Sequence, residues 1–305
     1  QAARNGIFRY VQGGQNSPAN TPTASVDAAG NPLLPSCSAT VTTGCINTYN
    51  IASNPSGIGI DPRLAGIINS MPLPNNFASG DGLNTAGYSF GSPQRERQYD
   101  FVVKFDYKFS DSNVLYVRWA QGKQTTFGDA ANNGRRIFPD SPDLVNTYRD
   151  PKNLAINHRF SPTANLTNEF VFGINKFAFR FENPSPDPSV PFAFNLVSTP
   201  LTNFTYNERA LRTLQFVDNL TWVRGSHVVK GGLNFRFGRQ IDDRTGFPPR
   251  TEPSVTLSPP TTTFGAFGLP TSGINANDLT RLRSTINDLL GRVGSYSQRF
   301  VADPN

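Results

Sequence analysis

Few residues of this sequence have the types and spacing that catalysis needs. Residues 87–91 fit the pattern G-x-S-x-G, which is a nucleophile elbow only where a strand precedes the serine and a helix follows it. Here a turn-forming Asp-Gly pair precedes the pattern and Pro93 follows it. We therefore interpret the match as a chance occurrence in a glycine-rich loop.

The two histidines are equally unpromising as catalysts. His158 alternates with Ile156 and Phe160, which places it on the apolar side of a strand, and His227 lies in a turn. No carboxylate pair, phosphate-binding loop or zinc pattern stands out. The sequence predicts no enzyme activity, no metal and no cofactor, and we rank a hydrolase last among the possible functions.

The two cysteines lie close together. Cys37 and Cys45 fall within a stretch rich in Ser, Thr, Gly and Pro. The spacing favours a local disulfide that holds a loop, which implies an oxidising compartment. The alternative is a pair of free thiols.

Composition narrows the class of protein. Of 305 residues, 11% are aromatic, and a disordered chain would be poor in aromatics. No apolar run approaches the ~20 residues of a membrane helix, whereas a membrane β-strand needs only ~9–11. The excess of 28 Lys+Arg over 22 Asp+Glu is spread among loops and alternate strand positions, which disfavours a nucleic-acid partner.

Strict alternation begins at Tyr99. Residues 99–109 place aromatic side chains on one face and mostly charged side chains on the other, which predicts a β-strand. A turn at 110–113 and a second strand over 114–124 complete a hairpin. Two further hairpins are predicted, with turns at 161–165 and 224–227. The parity of the aromatics changes within 166–181, which suggests a β-bulge near Asn175–Lys176.

The connections alternate between short and long. Turns within hairpins are short, whereas the connections 125–152, 182–211 and 240–285 are long, a combination typical of outer-membrane barrels. The predicted fold is all-β, with antiparallel up-and-down hairpins forming part of a large transmembrane β-barrel with long extracellular loops. Residues 1–98 are predicted to be an irregular extracellular loop region with one helical turn near 61–70. Residues 99–305 form the barrel segment.

The barrel segment also contains a helix. A short loop helix is predicted near 278–290, capped by Asn277 or Asp278 and ended by Gly291. A seventh strand is expected to start within 292–301. Because the chain starts at Gln1 without a signal peptide, we expect it to be an internal segment of a longer polypeptide.

The two faces of the strands predict two environments. In a barrel, the aromatic face meets lipid and the charged face lines a wet lumen. The candidate lumen-facing polar residues are Asp100, Lys104, Asp106, Lys230, Asn234 and Arg236. The alternative is a solvated sheet face on a soluble β-rich binding domain.

Several segments together resemble one family. Residues 71–87, MPLPNNFASGDGLNTAG, are similar to a long loop of TonB-dependent outer-membrane receptors of the Oar-like type, which often carry a carboxypeptidase-regulatory-like domain. The opening AARNGIF (2–8) is similar to the start of that loop. QYDFVVKFDY (98–107) with 111–118 resembles the next hairpin. INDLLG (286–291) is similar to the family's Asp-Phe-Leu-Leu-Gly segment, with Leu in place of Phe.

The resemblance implies a plugged 22-stranded barrel that imports nutrients with energy from TonB. It implies a location in the bacterial outer membrane with loops exposed to the extracellular side. The implied partners are outer-membrane lipid, an unknown nutrient ligand, and TonB through a part of the protein outside this chain. No TonB box or plug is recognisable, so no ligand-binding residue can be assigned. The alternative is an extracellular structural protein whose strand edges pair with other copies or subunits.

Overall fold

The computed structural model describes residues 3–13, 26–187, 192–202, 204–243 and 254–298. These ranges contain two α-helices, thirteen strands and three short 3-10 helices. In chain order the helices and strands are β1 (Ile7–Gln12), β2 (Cys45–Asn50), α1 (Pro62–Ser70), β3 (Asn76–Gly80), β4 (Ala86–Gly87), β5 (Arg95–Ser110), β6 (Asn113–Phe127), β7 (Asn146–Thr163), β8 (Leu166–Glu182), β9 (Phe192–Ala193), β10 (Tyr206–Arg224), β11 (His227–Asp243), β12 (Ser254–Leu257), α2 (Ala276–Leu290) and β13 (Val293–Ser297).

The largest unit is an antiparallel sheet of six long strands, in the order β11-β10-β8-β7-β6-β5. Its shortest strand has 15 residues and its longest 19, more than the ~9–11 that cross a bilayer. Two-residue turns at 111–112, 164–165 and 225–226 join the hairpins. The three predicted hairpins are confirmed. Each strand extends beyond the alternating residues, because backbone pairing does not require side-chain alternation.

One face of this sheet carries an apolar band. The strand register aligns an apolar row across all six strands: Phe105, Val117, Ile156, Phe172, Phe216 and Phe235. The rings of Phe172 and Phe216 lie 5.0 Å apart. The apolar band extends from Leu214 to Trp222 on β10, with Asp218 as a polar exception that accepts a hydrogen bond from Asn168 Nδ2 at 2.9 Å.

The predicted β-bulge near Asn175–Lys176 is wrong. The pairing of β8 with both β7 and β10 runs through these residues without a shift. Phe177, Phe179 and Phe181 therefore lie on the face opposite the apolar band. The Arg209 guanidinium lies 5.6 Å from the Phe179 ring centroid on that face, so the change in aromatic parity reflects new neighbours near the loop end of the strand.

The two outer strands of the sheet leave their side chains exposed. Every residue of β5 is exposed, and so is nearly all of β11. Phe101 and Phe237 are each 60% exposed, a degree of exposure that water does not favour for aromatic rings. Among the described residues, no strand pairs with the outer edges of β5 and β11, and both strands present an apolar surface.

All long connections emerge at the end of the sheet opposite the tight turns, and they fold together. We call residues 3–94, 128–145, 183–205 and 254–298, within the described ranges, the loop layer. Its main core combines Phe8 and Ile51 with Leu282 and Ile286 of α2, all with 0% exposed surface. A second cluster joins Leu64, Met71, Phe194 and Leu257. The segment 1–98 therefore supplies β1–β4, α1 and part of a core, where the sequence suggested irregular structure.

Both helices belong to the loop layer. Asp61 caps α1 by accepting hydrogen bonds from the backbone N–H groups of Arg63 and Leu64, and its own N–H donates to Leu289 O at 2.9 Å. The predicted cap of α2 is wrong, because Asn275 rather than Asn277 or Asp278 is the N-cap. Gly291 ends α2 with φ 65°, as predicted. Within the described ranges, neither helix has the length and apolar character needed to span a membrane.

A small sheet contains the end of the described chain. β13 forms where a seventh strand was expected, but it pairs with β12, which also pairs with β9. Residues 299–301 of the expected strand lie outside the described residues. Among the described residues, β13 therefore belongs to the loop layer and not to the six-stranded sheet.

Candidate functional site

The six candidate lumen-facing residues share one face of the large sheet but do not form one site. Asp100, Lys104 and Asp106 lie on β5, whereas Lys230, Asn234 and Arg236 lie on β11, with four strands between them. Lys104 Nζ pairs with Asp106 Oδ2 at 3.0 Å, and Asn234 Oδ1 accepts from Gln215 Nε2 at 3.2 Å. The register places all six opposite the apolar band.

The two cysteines are joined by a disulfide, Cys37–Cys45. Cys45 is the first residue of β2 and is fully buried. The Cys37 N–H donates to Ile46 O at 3.0 Å, and the Ile46 N–H donates to Pro35 O at 2.8 Å. Covalent and backbone bonds together hold the loop between the cysteines beside β2.

A cavity of about 360 Å³ opens within the loop layer. Its wall includes α1, the β3–β4 hairpin, the β6–β7 and β8–β10 connections, and α2. Met71 and Phe138 contribute apolar surface, and the ring of Tyr88 meets that of Phe138 edge-on at 6.2 Å. A volume near 300 Å³ or above with mainly apolar walls and few polar groups is typical of small-molecule sites.

Among the described residues, two charged side chains line this cavity. Arg4 Nη2 donates to Pro72 O at 2.8 Å, and burial lowers the pKa of Arg4. Asp288 is 3% exposed, and its carboxylate accepts from Asn195 Nδ2 at 2.7 Å and from the Asn195 and Leu196 backbone N–H groups. Burial raises the pKa of Asp288 to about 6, against the opposite effect of these hydrogen bonds.

Asn84 fixes the β3–β4 hairpin as one wall. Its side-chain amide donates to Arg9 O and accepts from Arg9 N–H, each at 2.8 Å. Asp81 accepts from Asn84 N–H at 2.8 Å and from Thr85 N–H at 2.7 Å. The hairpin is therefore attached to β1 through a polar pair that reproduces the hydrogen bonds of a sheet.

The G-x-S-x-G match takes no part in an elbow. Gly87 ends β4, and Ser89 lies in irregular backbone where its Oγ accepts from Asn76 Nδ2 at 2.9 Å. His158 lies on the apolar face, with Nε2 2.6 Å from Asn113 Oδ1 and its ring stacked on Phe160. Neither arrangement brings a nucleophile and a base together.

Sequence reasoning missed the cavity residues. Arg4 and Asp288 lie in segments that resemble a known family, but the sequence assigned neither residue a role. No signal marked Asp288, because at 3.6 residues per turn it lies on the side of α2 opposite Leu282, Ile286 and Leu290. Asn287 lies at the flank of that apolar stripe, and a buried polar group there needs partners. Asn287 Nδ2 does find partners, Ser258 O and Pro259 O, at 2.6 and 3.1 Å.

Comparison with known families decides the class of the chain. The family model described as "Outer membrane beta barrel domain" matches residues 1–302. The chain belongs to this outer membrane beta barrel domain family. No curated protein and no solved structure matches it.

Family membership gives the apolar band a physical setting. An outer membrane beta barrel domain crosses the bacterial outer membrane with strands whose outward face is apolar. In this domain the band that contains Phe172, Phe216 and Phe235 is the face suited to lipid. The assignment of Lys104, Asn234 and the other four polar residues to the lumen stays a prediction.

Proposed function

We propose that the chain is part of a TonB-dependent outer-membrane transporter of the Oar-like type, and that its loop layer captures a small nutrient. The observation that carries this proposal is the cavity of about 360 Å³ within a folded loop layer at one end of the barrel strands. Capture and passage require no catalytic group, cofactor or metal. TonB contacts a part of the protein outside this chain.

The orientation follows from the asymmetry of the connections. Outer-membrane barrels have short turns on the periplasmic side and longer loops on the extracellular side. The turns at 111–112, 164–165 and 225–226 thus face the periplasm, and the loop layer faces the outside. A nutrient would meet the loop layer before it meets the barrel.

The packing of the loop layer supports capture. Loops that order only on binding lose affinity to the ordering entropy, whereas preformed walls do not. The walls of the cavity rest on Leu282, Ile286 and Phe8, which are fully buried, and elsewhere in the loop layer the Cys37–Cys45 disulfide holds a loop beside β2. The mixture of Met71, Tyr88 and Phe138 with Arg4 and Asp288 suits a small molecule with an apolar body and a polar end.

The proposal is tested by measuring nutrient uptake in cells that carry a variant whose cavity is filled by a large side chain. Ser198 lines the cavity and is exposed, so Ser198→Trp should obstruct the cavity without disturbing a core. Ser53 is exposed and lies outside the lining, so Ser53→Trp is the matched control. A panel of labelled oligopeptides, oligosaccharides and ferric chelates is offered to each strain, with and without TonB.

We expect at least one compound whose uptake depends on TonB, is lost in Ser198→Trp and is retained in Ser53→Trp. Uptake independent of TonB would contradict the transporter class. Unchanged uptake in Ser198→Trp, with the protein present at normal level, would contradict the role of the cavity.

A structural protein is the second candidate, favoured by the two exposed sheet edges. An unpaired strand edge is a template for pairing with another chain, and within the part of the chain that the structure describes β5 and β11 each have one unpaired edge. Electron microscopy of native material separates the two. Isolated barrels in membrane support the transporter, whereas regular filaments or sheets of this 305-residue unit would replace it.

A further inference from the structure

A row of basic side chains borders the apolar band on its loop side. The register aligns Lys152 with Lys176, Lys176 with Arg212, and Arg212 with Arg239. These four residues, here called the basic row, occupy one level of the sheet on the same face as the apolar band. The next level toward the tight turns is apolar throughout: Trp119, Leu154, Ile174, Leu214 and Phe237.

The basic row concentrates positive charge in a small area. Neighbouring strands lie about 4.8 Å apart, so four adjacent strands place four cations within about 14 Å. Lys152 pairs with Asp150 at 3.2 Å, and the other three have no ion pair among the described residues. Lys176 is half-buried, whereas Arg212 and Arg239 are exposed.

Such an arrangement is unfavourable on its own. Like charges directly opposite each other on neighbouring strands destabilise a sheet, and the basic row contains three such pairs in succession. A bound anion that bridges the cations removes this repulsion. The opposite border of the band is different: its Arg224 guanidinium lies 5.6 Å from the Trp222 ring centroid, and Arg224 pairs across the turn with His227.

We propose that the basic row binds the phosphate groups of an anionic lipid in the leaflet on the loop side. The band below it would hold the acyl chains, since Phe172, Ile174 and Phe237 continue the same surface. Long Lys and Arg side chains at the edge of a bilayer extend to the head-group level while their stems stay in the apolar zone. Guanidinium groups bind phosphate oxygens in a bidentate geometry, which suits Arg212 and Arg239.

Lipid binding at the basic row does not depend on transport. It requires only that the apolar band meets lipid, so a failure of nutrient uptake leaves it standing, and a failure of lipid binding leaves the transporter proposal standing. The lipid is recognised by its phosphates and by its position beside an apolar surface. A soluble phosphate compound has no acyl chains to lie against the apolar band.

The experiment measures lipid retention by the full-length protein, purified in detergent and stripped of lipid. Bisphosphorylated lipid A is titrated and bound lipid is counted by native mass spectrometry. The double variant Lys176→Gln/Arg212→Gln removes two cations from the basic row. The matched control, Lys104→Gln/Lys230→Gln, removes two cations from the opposite face.

Because each basic residue near an anionic membrane surface contributes about fivefold to binding, we expect the double variant to lose about 25-fold in affinity. The control should bind as the wild type does. The exchange variant Lys176→Arg/Arg212→Lys keeps both charges and should retain binding, which separates loss of charge from damage to the barrel.

Two further arms use the wild type alone. Dephosphorylated lipid A should bind at least tenfold more weakly than the bisphosphorylated form, and equal binding would overturn the proposal. Inorganic pyrophosphate should not displace the lipid. Displacement at equal concentration would overturn the lipid assignment in favour of a soluble phosphate site.

The variants supply the remaining refutation. If the Lys104→Gln/Lys230→Gln control loses as much affinity as Lys176→Gln/Arg212→Gln, then net charge, and not the basic row, binds the lipid.

Discussion

Titration of Asp288 should change how firmly the β8–β10 connection docks on α2. The buried carboxylate accepts hydrogen bonds from Asn195 and Leu196. Burial raises its pKa from 3.8 to about 6, and the accepted hydrogen bonds only partly oppose that effect. We call the closed arrangement, in which the carboxylate is buried, the docked state; undocking opens it to water and returns the pKa toward its ordinary value.

The sign of the effect follows from the direction of the shift. Because the pKa of Asp288 is higher in the docked state, that state binds more protons between pH 3.8 and about 6. Docking is therefore strongest below about pH 4, weakens as the pH rises through about 6, and is constant above that. The shift of roughly two pKa units corresponds to a loss of about 3 kcal/mol in docking free energy.

Hydrogen exchange of the Asn195 and Leu196 amides measures this free energy. Protection factors are determined from pH 4 to pH 8, with the intrinsic exchange rate removed. We expect protection to fall by about two orders of magnitude between pH 4 and pH 7 and to stay level above pH 7. Asp288→Asn keeps the shape and one oxygen acceptor but cannot titrate, so its protection should not vary with pH.

Two results would refute the reasoning. Protection that rises with pH in the wild type would mean that the hydrogen bonds from Asn195 and Leu196 outweigh burial and hold the pKa of Asp288 low. The same pH dependence in Asp288→Asn would mean that another group titrates.

Three further predictions concern the core, the faces and the orientation. Ile286→Ala should lower the free energy of unfolding of the loop layer by about 2–5 kcal/mol, because Ile286 has no exposed surface. The denaturant dependence of protease cleavage in α2 measures this free energy, and a change below about 1 kcal/mol would contradict the placement of Ile286 in the core. Phe235→Arg should impair barrel insertion, since Arg on the lipid face costs ~2–4 kcal/mol near the midplane, whereas Asn234→Ala should insert normally. Heat-dependent gel mobility measures the insertion of both variants. Normal insertion of Phe235→Arg with failure of Asn234→Ala would mean that the lipid face and the lumen face are assigned the wrong way round. Ser53 in the loop layer and Ser226 in a tight turn are both exposed. In intact cells an impermeant thiol reagent should label Ser53→Cys and not Ser226→Cys, and equal labelling of the two variants would contradict the proposed orientation.

The hairpins could be predicted from sequence because their determinants are local. Alternation over 99–109 requires only that successive side chains point to opposite faces, and the turn at 225–226 requires a residue such as Gly225 with φ 60°. Pairing of neighbours in sequence then fixes the register. The β-bulge predicted at Asn175–Lys176 is absent, because the aromatic side chains change face there without a change in strand pairing. Which face is aromatic depends on the surroundings of that face, and these surroundings differ between the two ends of one continuous strand.

The loop layer could not be predicted in the same way. Phe8 and Leu282 lie near opposite ends of the chain, yet they belong to one core. Residues 1–98 show no sustained period because their elements are short, from the two residues of β4 to the nine of α1. Short elements gain their stability from tertiary contacts, and such contacts leave no periodic signal in any one segment.

The sequence by itself determined the class of protein: long alternating strands, tight turns on one side and long connections on the other are local properties, and they suffice for an outer-membrane barrel. Only the tertiary structure decided what the connections build. It placed Arg4 and Asp288 in the wall of one cavity and aligned Lys176 with Arg212 and Arg239 on neighbouring strands. Both arrangements depend on distances between residues far apart in the chain, which are fixed by strand register and core packing rather than by the order of residues along any single segment.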